Sequence, residues 1–191
     1  MSGLIIPYEG VTPEISPEAF IAPDATVIGR VRIGALTGIW YKCVIRGDEE
    51  PISIGANCNI QDGTVIHVAG GQYRTEIGDD VSVGHMALVH ACTLESNAFV
   101  GMRAAVMDGA VVESGGILAA GALLTPGKRV PGGEVWAGSP AKFMRKVGPA
   151  EEEMRDYVRQ AYLDLLAKHK VAIEAAGLAG ASRLAAAGSD D

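Results

Sequence analysis

The stretch from Leu94 to Val130, "LESNAFVGMRAAVMDGAVVESGGILAAGALLTPGKRV", decides the fold. Its aliphatic residues return every six positions, at Leu94, Val100, Val106, Val112, Leu118, Leu124 and Val130. The beat extends to Trp136 on one side and, with short breaks, back through Ile77, Val83 and Val89, through Ile54, Ile60 and Ile66, and through Ile21, Val27, Ile33, Ile39 and Ile45. Four positions after most of these anchors stands a small residue, such as Ala25, Cys43, Cys58, Thr64, Ala87, Ala98, Ala104 or Ala110. A helix turns every 3.6 residues and cannot hold a period of six. A fixed short period means stacked units, each too small to bury its own apolar side, and the hexapeptide version is a parallel β-helix with its anchors pointing inward.

The pattern resembles the left-handed β-helix of the hexapeptide-repeat superfamily, in which three six-residue faces close one triangular coil. The expected architecture is therefore an all-β left-handed parallel β-helix over residues 1–147, including a short N-terminal segment. After "AGSPAKFMRKVGP" the period changes. Met154, Tyr157, Val158, Ala161, Tyr162, Leu165 and Leu166 follow helical spacing, and acidic "EEE" stands where a helix dipole favours it, so one amphipathic α-helix is expected over 148–175, packed on the prism. The remainder, 176–191, is small, polar and weakly patterned and reads as a flexible tail.

At 191 residues the chain fits a single domain. With 16 Lys and Arg against 23 Asp and Glu, a formal charge of -7 and no basic cluster, neither nucleic acid nor an anionic membrane is an expected partner. Three cysteines outside any C-x-x-C spacing make no disulfide framework, and Cys43 and Cys58 occupy the small inward slot as packed thiols. Cys92 is one residue out of that slot. The opening "MSGLIIPYEG" lacks the charged start and long apolar run of a signal peptide, and no apolar run reaches the roughly 20 residues that span a bilayer. The cytoplasm is the expected compartment.

Three of the four histidines lie between Ile60 and His90. Naming the faces of Ile54, Ile60 and Ile66 a, b and c, the residues "AGGQYR" loop out at a corner and Ile77 returns to face a. His67 and His90, each immediately after its anchor, then occupy equivalent slots on face c in consecutive coils. Rungs about 4.7–4.9 Å apart allow two such imidazoles to close on one ion. His85 follows Val83 by two and lies around a corner on face b, from where a neighbouring protomer could supply it. Three prisms about a threefold axis would set face c of one against face b of the next. His169, alone on the helix, reads as unremarkable. Three neutral imidazoles and an open position favour Zn2+, with Fe2+ or Co2+ as alternatives, and such an ion lowers the pKa of bound water to about 7.

One coil below His67, Arg46 takes the same slot, with Asp48 and Asp62 as the carboxylates that could neutralise it. Gln61, beside Ile60, can hold a water or a polar substrate without competing for the ion.

The stretches "IWYKCVIRGDEEPISIGANCNIQDGTVIHV", "VGHMALVHACTL", "VGMRAAVMDGAVV" and "AGSPAK" resemble the gamma-class carbonic anhydrase family over about residues 15–165. That resemblance implies a homotrimer with His67, His85 and His90 as metal ligands at subunit interfaces, and reversible hydration of carbon dioxide to bicarbonate by a metal-bound hydroxide. It implies that Gln61 orients the hydroxide, that Arg46 and Asp62 hold the interface, and that Asp48 supports them. Glu49 matches an acidic position near the metal, a candidate to remove the proton. Tyr157 matches a tyrosine that some relatives place beside it. The chain departs from the active archaeal pattern after the first histidine, where "VAGGQYR" carries no carboxylate. The alternatives are a metal-dependent hydrolase of a thioester or other small carbonyl substrate, a metal-stabilised trimeric scaffold, and, more weakly, an acyltransferase.

Overall fold

The computed structural model describes residues 3–178 and is a left-handed parallel β-solenoid followed by one C-terminal α-helix. Each turn of the chain lays one short strand on each of three faces. Ile33, Ile54, Ile77, Leu94, Val112 and Val130 stack in register on face a. Ile21, Ile39, Ile60, Val83, Val100 and Leu118 do so on face b. Ile5, Val27, Ile45, Ile66, Val89, Val106 and Leu124 do so on face c. All of these anchors are buried, and each aliphatic side chain so placed contributes about 1.5–3 kcal/mol. The small residues four positions on fill the narrow corners: Ala25, Cys43, Ala98, Ala104 and Ala110 are all buried.

The corners themselves need a backbone that L-residues avoid. Three positions past the anchor, Leu36, Lys42, Asn57, Asp80, Met86, Asn97 and Arg103 adopt φ between 55 and 63°. From Val106 onward glycine takes that position, with Gly109 at φ 66° and Gly133 at φ 70°. Glycine enters the left-handed region without the Cβ clash that burdens other residues. The regular glycines of the C-terminal coils therefore carry a fold signal in addition to the aliphatic beat.

Two breaks in the beat are accommodated differently. Between Ile45 and Ile54 the chain runs as one long strand, Val44–Ile54, across a corner, paired in shifted register with Thr26–Ile33. The residues 69–74 leave the prism as the loop expected from the sequence, closed by the Ala69–Tyr73 bridge. At the far end Glu134–Ala137 pairs antiparallel with Lys142–Lys146, a hairpin that the hexapeptide count did not foresee.

The helix spans Pro149–Ala175. Proline stands in its first turn, and Glu151 reaches back to accept from the Gly148 amide at 2.8 Å while pairing with Arg145 at 2.8 Å. It lies on face b, where Leu166 and Ile173 are buried. His169 is not the bystander expected: Tyr41 and His169 share a 2.8 Å hydrogen bond, and Trp40 packs edge-on against both His169 and Tyr162 at 5.1 and 5.2 Å. This aromatic platform sets the rotation of the helix. The inward stripe runs through Arg155, Tyr162, Leu166, His169 and Ile173, so Tyr157 and Leu165, expected on the packed face, are exposed. Among the described residues no helix is long and apolar enough to cross a membrane. The tail expected from residue 176 lies outside the described residues from 179 onward.

Candidate metal centre

The strands Val65–His67 and Leu88–His90 are adjacent rungs of face c, and their pairing sets His67 opposite His90. The rings are 5.2 Å apart, and His67 Nδ1 meets His90 Nε2 at 3.2 Å. The remaining nitrogen of each ring is taken by a carboxylate. Asp48 Oδ1 lies 3.0 Å from His67 Nε2, and Asp108 Oδ1 lies 2.5 Å from His90 Nδ1. A carboxylate on one imidazole nitrogen keeps the proton there and leaves a lone pair on the other. Two nitrogens bound tetrahedrally to one ion at about 2.0–2.1 Å stand roughly 3.3–3.4 Å apart. The observed spacing and the paired carboxylates therefore fit half of a metal-binding set.

His85 stands at the corner between faces b and c, away from that pair. Its Nδ1 lies 3.0 Å from Asp62 Oδ2, its Nε2 lies 3.3 Å from the Tyr162 hydroxyl, and its backbone amide donates to Gln61 Oε1 at 3.1 Å. Burial, reinforced by the Asp62 charge, raises the Tyr162 pKa, so the phenol stays protonated and donates to the ring nitrogen. His85 thus has the same arrangement as the other two rings: a carboxylate on one side and an accepting nitrogen on the other. Among the described residues no three His, Cys, Asp or Glu side chains of this one chain form a metal-binding group.

Asp48 is shared. One oxygen holds His67 and the other forms an ion pair with Arg46. Burial alone would push this carboxyl up, but the hydrogen bonds from His67 and Arg46 and the Arg46 charge hold it below the usual carboxylate range. Within this chain Arg46 pairs with Asp48, while Asp62 is engaged with His85. Gln61 is buried, with its carbonyl oxygen committed to the His85 amide.

Glu49 is turned toward the loop. Its carboxylate accepts from the Gly70 amide at 3.2 Å, and that of Glu50 accepts from the Gly71 amide at 3.2 Å. A Cβ at position 70 would sit 3.0 Å from the Glu49 carboxylate. The strand that carries Asp48 and Glu49 is fixed in turn by Arg30, whose guanidinium donates to both of their carbonyls at 2.6 Å. Tyr157 stands apart: it is 73% exposed, and among the described residues nothing hydrogen-bonds it. The tyrosine brought to the cluster is Tyr162.

Sequence reasoning passed over Asp108, Tyr162 and Arg30. Asp108 lies two residues past Val106, the rung after Val89, so the register that paired His67 with His90 could have pointed to it. Tyr162 is four residues from buried Leu166. The thiols offer no ligand here, since burial pushes Cys43 and Cys58 up to about 12 and Cys92 higher still.

No family model matches the chain. Among curated proteins it is similar to "Gamma carbonic anhydrase 2, mitochondrial" of Arabidopsis thaliana, 47% identical over 163 residues that cover 83% of this chain and 59% of that protein. It is also similar to a "Carbonic anhydrase" of Geobacillus kaustophilus, 38% identical over 161 residues covering 84% of this chain and 88% of that one. Among solved structures, a hexapeptide transferase family protein from Anaplasma phagocytophilum superposes with a TM-score of 0.83 at 47% identity, covering 88% of this chain and 99% of that one. The chain spans 52–59% of the length of the plant gamma carbonic anhydrases it matches.

Proposed function

The chain belongs to the gamma carbonic anhydrase-like family of hexapeptide-repeat proteins, and we propose that it is a metal-dependent carbonic anhydrase whose centres lie between the protomers of a homotrimer. The kinship supports a catalytic, metal-binding role in general terms. The observation that carries the specific reading is the 3.2 Å approach of His67 Nδ1 and His90 Nε2, each ring having a carboxylate on its other nitrogen. His85 of a second protomer supplies the third imidazole. To hold the ion there, His85 would have to give up its hydrogen bond with the Tyr162 hydroxyl.

The outward residues of face c favour such an assembly. Val44, Val65, Leu88, Ala105 and Leu123 line up on consecutive rungs beside the histidines. A continuous apolar row on an otherwise acidic protein is a surface that association covers. Arg46 and Asp62, paired within the chain with Asp48 and His85, would also face the neighbouring protomer in such a trimer.

Zn2+, Fe2+ or Co2+ bound by three imidazoles would acidify a coordinated water to a pKa of about 7 and polarise a carbonyl oxygen. The chain's own groups do the rest. With its oxygen held by the His85 amide, Gln61 has the NH2 end of its carboxamide left to donate to an oxygen of carbon dioxide or bicarbonate. Asp48, Asp62 and the Arg46 ion pair keep the rings oriented. Glu49 is the carboxylate for the departing proton, and it takes that role by releasing the Gly70 amide. Tyr162 replaces Tyr157 as the helix residue next to the reaction.

Stopped-flow carbon dioxide hydration on metal-loaded, anaerobically prepared protein tests this reading, beside His67→Ala and an acyl-CoA hydrolysis panel. Hydration is expected from the parent and a loss of at least tenfold from the variant. Metal retained without hydration would move the assignment to a thioester hydrolase or to a scaffold, and full hydration by His67→Ala would remove this centre from consideration.

A further inference from the structure

We propose that Asp108 is a positioning residue that selects the metal-binding nitrogen of His90. The proposal rests on the reading of His67 and His90 as ligands. Asp108 comes from the coil above His90, two residues past its anchor Val106, and its Oδ1 lies 2.5 Å from His90 Nδ1. Its backbone is held from the next coil up, where the Gly127 amide donates to the Asp108 carbonyl at 2.9 Å. The following residue, Gly109, turns the corner at φ 66°, and a Cβ there would meet the Tyr73 ring of the 69–74 loop at 3.3 Å. The carboxylate is therefore delivered from a fixed corner.

A neutral imidazole carries its proton on either nitrogen, and only the other one can bind a cation. Asp108 accepts from Nδ1–H, so the lone pair of His90 sits on Nε2 and faces His67. Asp48 makes the opposite choice for His67, holding Nε2 and leaving Nδ1. The two rungs thus present differently named nitrogens, and these are the atoms that converge at 3.2 Å. Removing the carboxylate lets the ring of His90 exchange tautomers and turn its N–H toward the ion.

The test uses the 191-residue chain, metal-free and then titrated with Co2+ against a chromophoric chelator. Asp108→Ala and Asp108→Asn are compared with His67→Ala. Asp108→Ala is expected to weaken Co2+ binding by about 10–100-fold and to change the visible cobalt spectrum. Asp108→Asn, whose amide oxygen still accepts from Nδ1–H without the charge, is expected to fall between that variant and the parent. Long-range 1H–15N spectra of the metal-free protein should place the His90 proton on Nδ1 in the parent and distribute it over both nitrogens in Asp108→Ala. Should the alanine variant fail to assemble, the near-isosteric asparagine variant still decides the matter. Parental affinity and cobalt spectrum in the Asp108 variants, with the ion lost from His67→Ala, would overturn the role of Asp108 alone. Parental affinity in His67→Ala would overturn the metal-site reading beneath it.

Discussion

Faces a and c are built on the same inward rungs and differ in what they turn outward. Beside its anchors face a displays Arg32, Ser53, Glu76, Thr93, Val111 and Arg129, stitched by exposed ion pairs such as Arg129–Glu113 at 2.9 Å and Arg32–Glu14 at 3.0 Å. Face c displays the row from Val44 to Leu123 and, beyond it, Arg46, His67 and His90. In a coil whose period is even, the inward residues are fixed by packing and the outward ones are free to diverge. Face a has the composition of a surface that stays in water, and face c that of the interface proposed above.

The two outward rows differ most in their response to a charge. Leu88→Asp should convert the proposed trimer to monomer by light scattering and abolish metal binding, because an unpaired carboxylate in an interface costs on the order of 3–5 kcal/mol. Val111→Asp at the matching position of face a should leave the mass unchanged. Equal masses for the two variants would dissolve the distinction.

The inward slots of the two faces are equivalent. Ile54→Ala on face a and Ile66→Ala on face c should each lower stability by about 2–5 kcal/mol in urea unfolding, since both leave a cavity in the same close-packed stack. A much larger loss on one face would mean that its rungs carry more than packing.

The smallest effect concerns acid. Hydrogen bonds from Arg129 and the Gly132 amide lower the Glu113 pKa on face a, while for Asp48 on face c the bonds from His67 and Arg46 outweigh the burial that would raise it. Because both folded values are depressed, this support is complete above the ordinary carboxylate pKa near 4 and is lost as pH falls through the lower folded values. Glu113→Gln should remove only a slight acid-dependent shift of the urea midpoint, as expected of a solvated pair. Asp48→Asn should in addition alter the assembly, read by light scattering across the same pH range.

Much of this molecule can be read from spacing. The six-residue count placed His67 on the rung next to His90, Gln61 one coil below His85, and His85 around a corner from the other two. The glycines at 109, 115, 121, 127 and 133 would have located the corners as well, for each has φ between 66 and 72°. Spacing misled where the helix meets the prism. Tyr157 and Tyr162 are five residues apart, roughly 140° around the helix axis, and both suit an amphipathic pattern. The choice between them belongs to Trp40 and His169, whose contact spans two elements far apart in the chain.

The sequence by itself determined the coil, its register and the pairing of His67 with His90, because a repeat is a local rule applied over and over and its errors do not accumulate. Only the tertiary structure decided that Asp48 and Asp108 hold opposite nitrogens of that pair, that Asp62 belongs to His85, and that Tyr162 rather than Tyr157 faces the histidine. Those choices depend on the direction a side chain takes at a corner and on the phase of a docked helix. Both are settled by contacts between distant residues, which no spacing along the chain encodes.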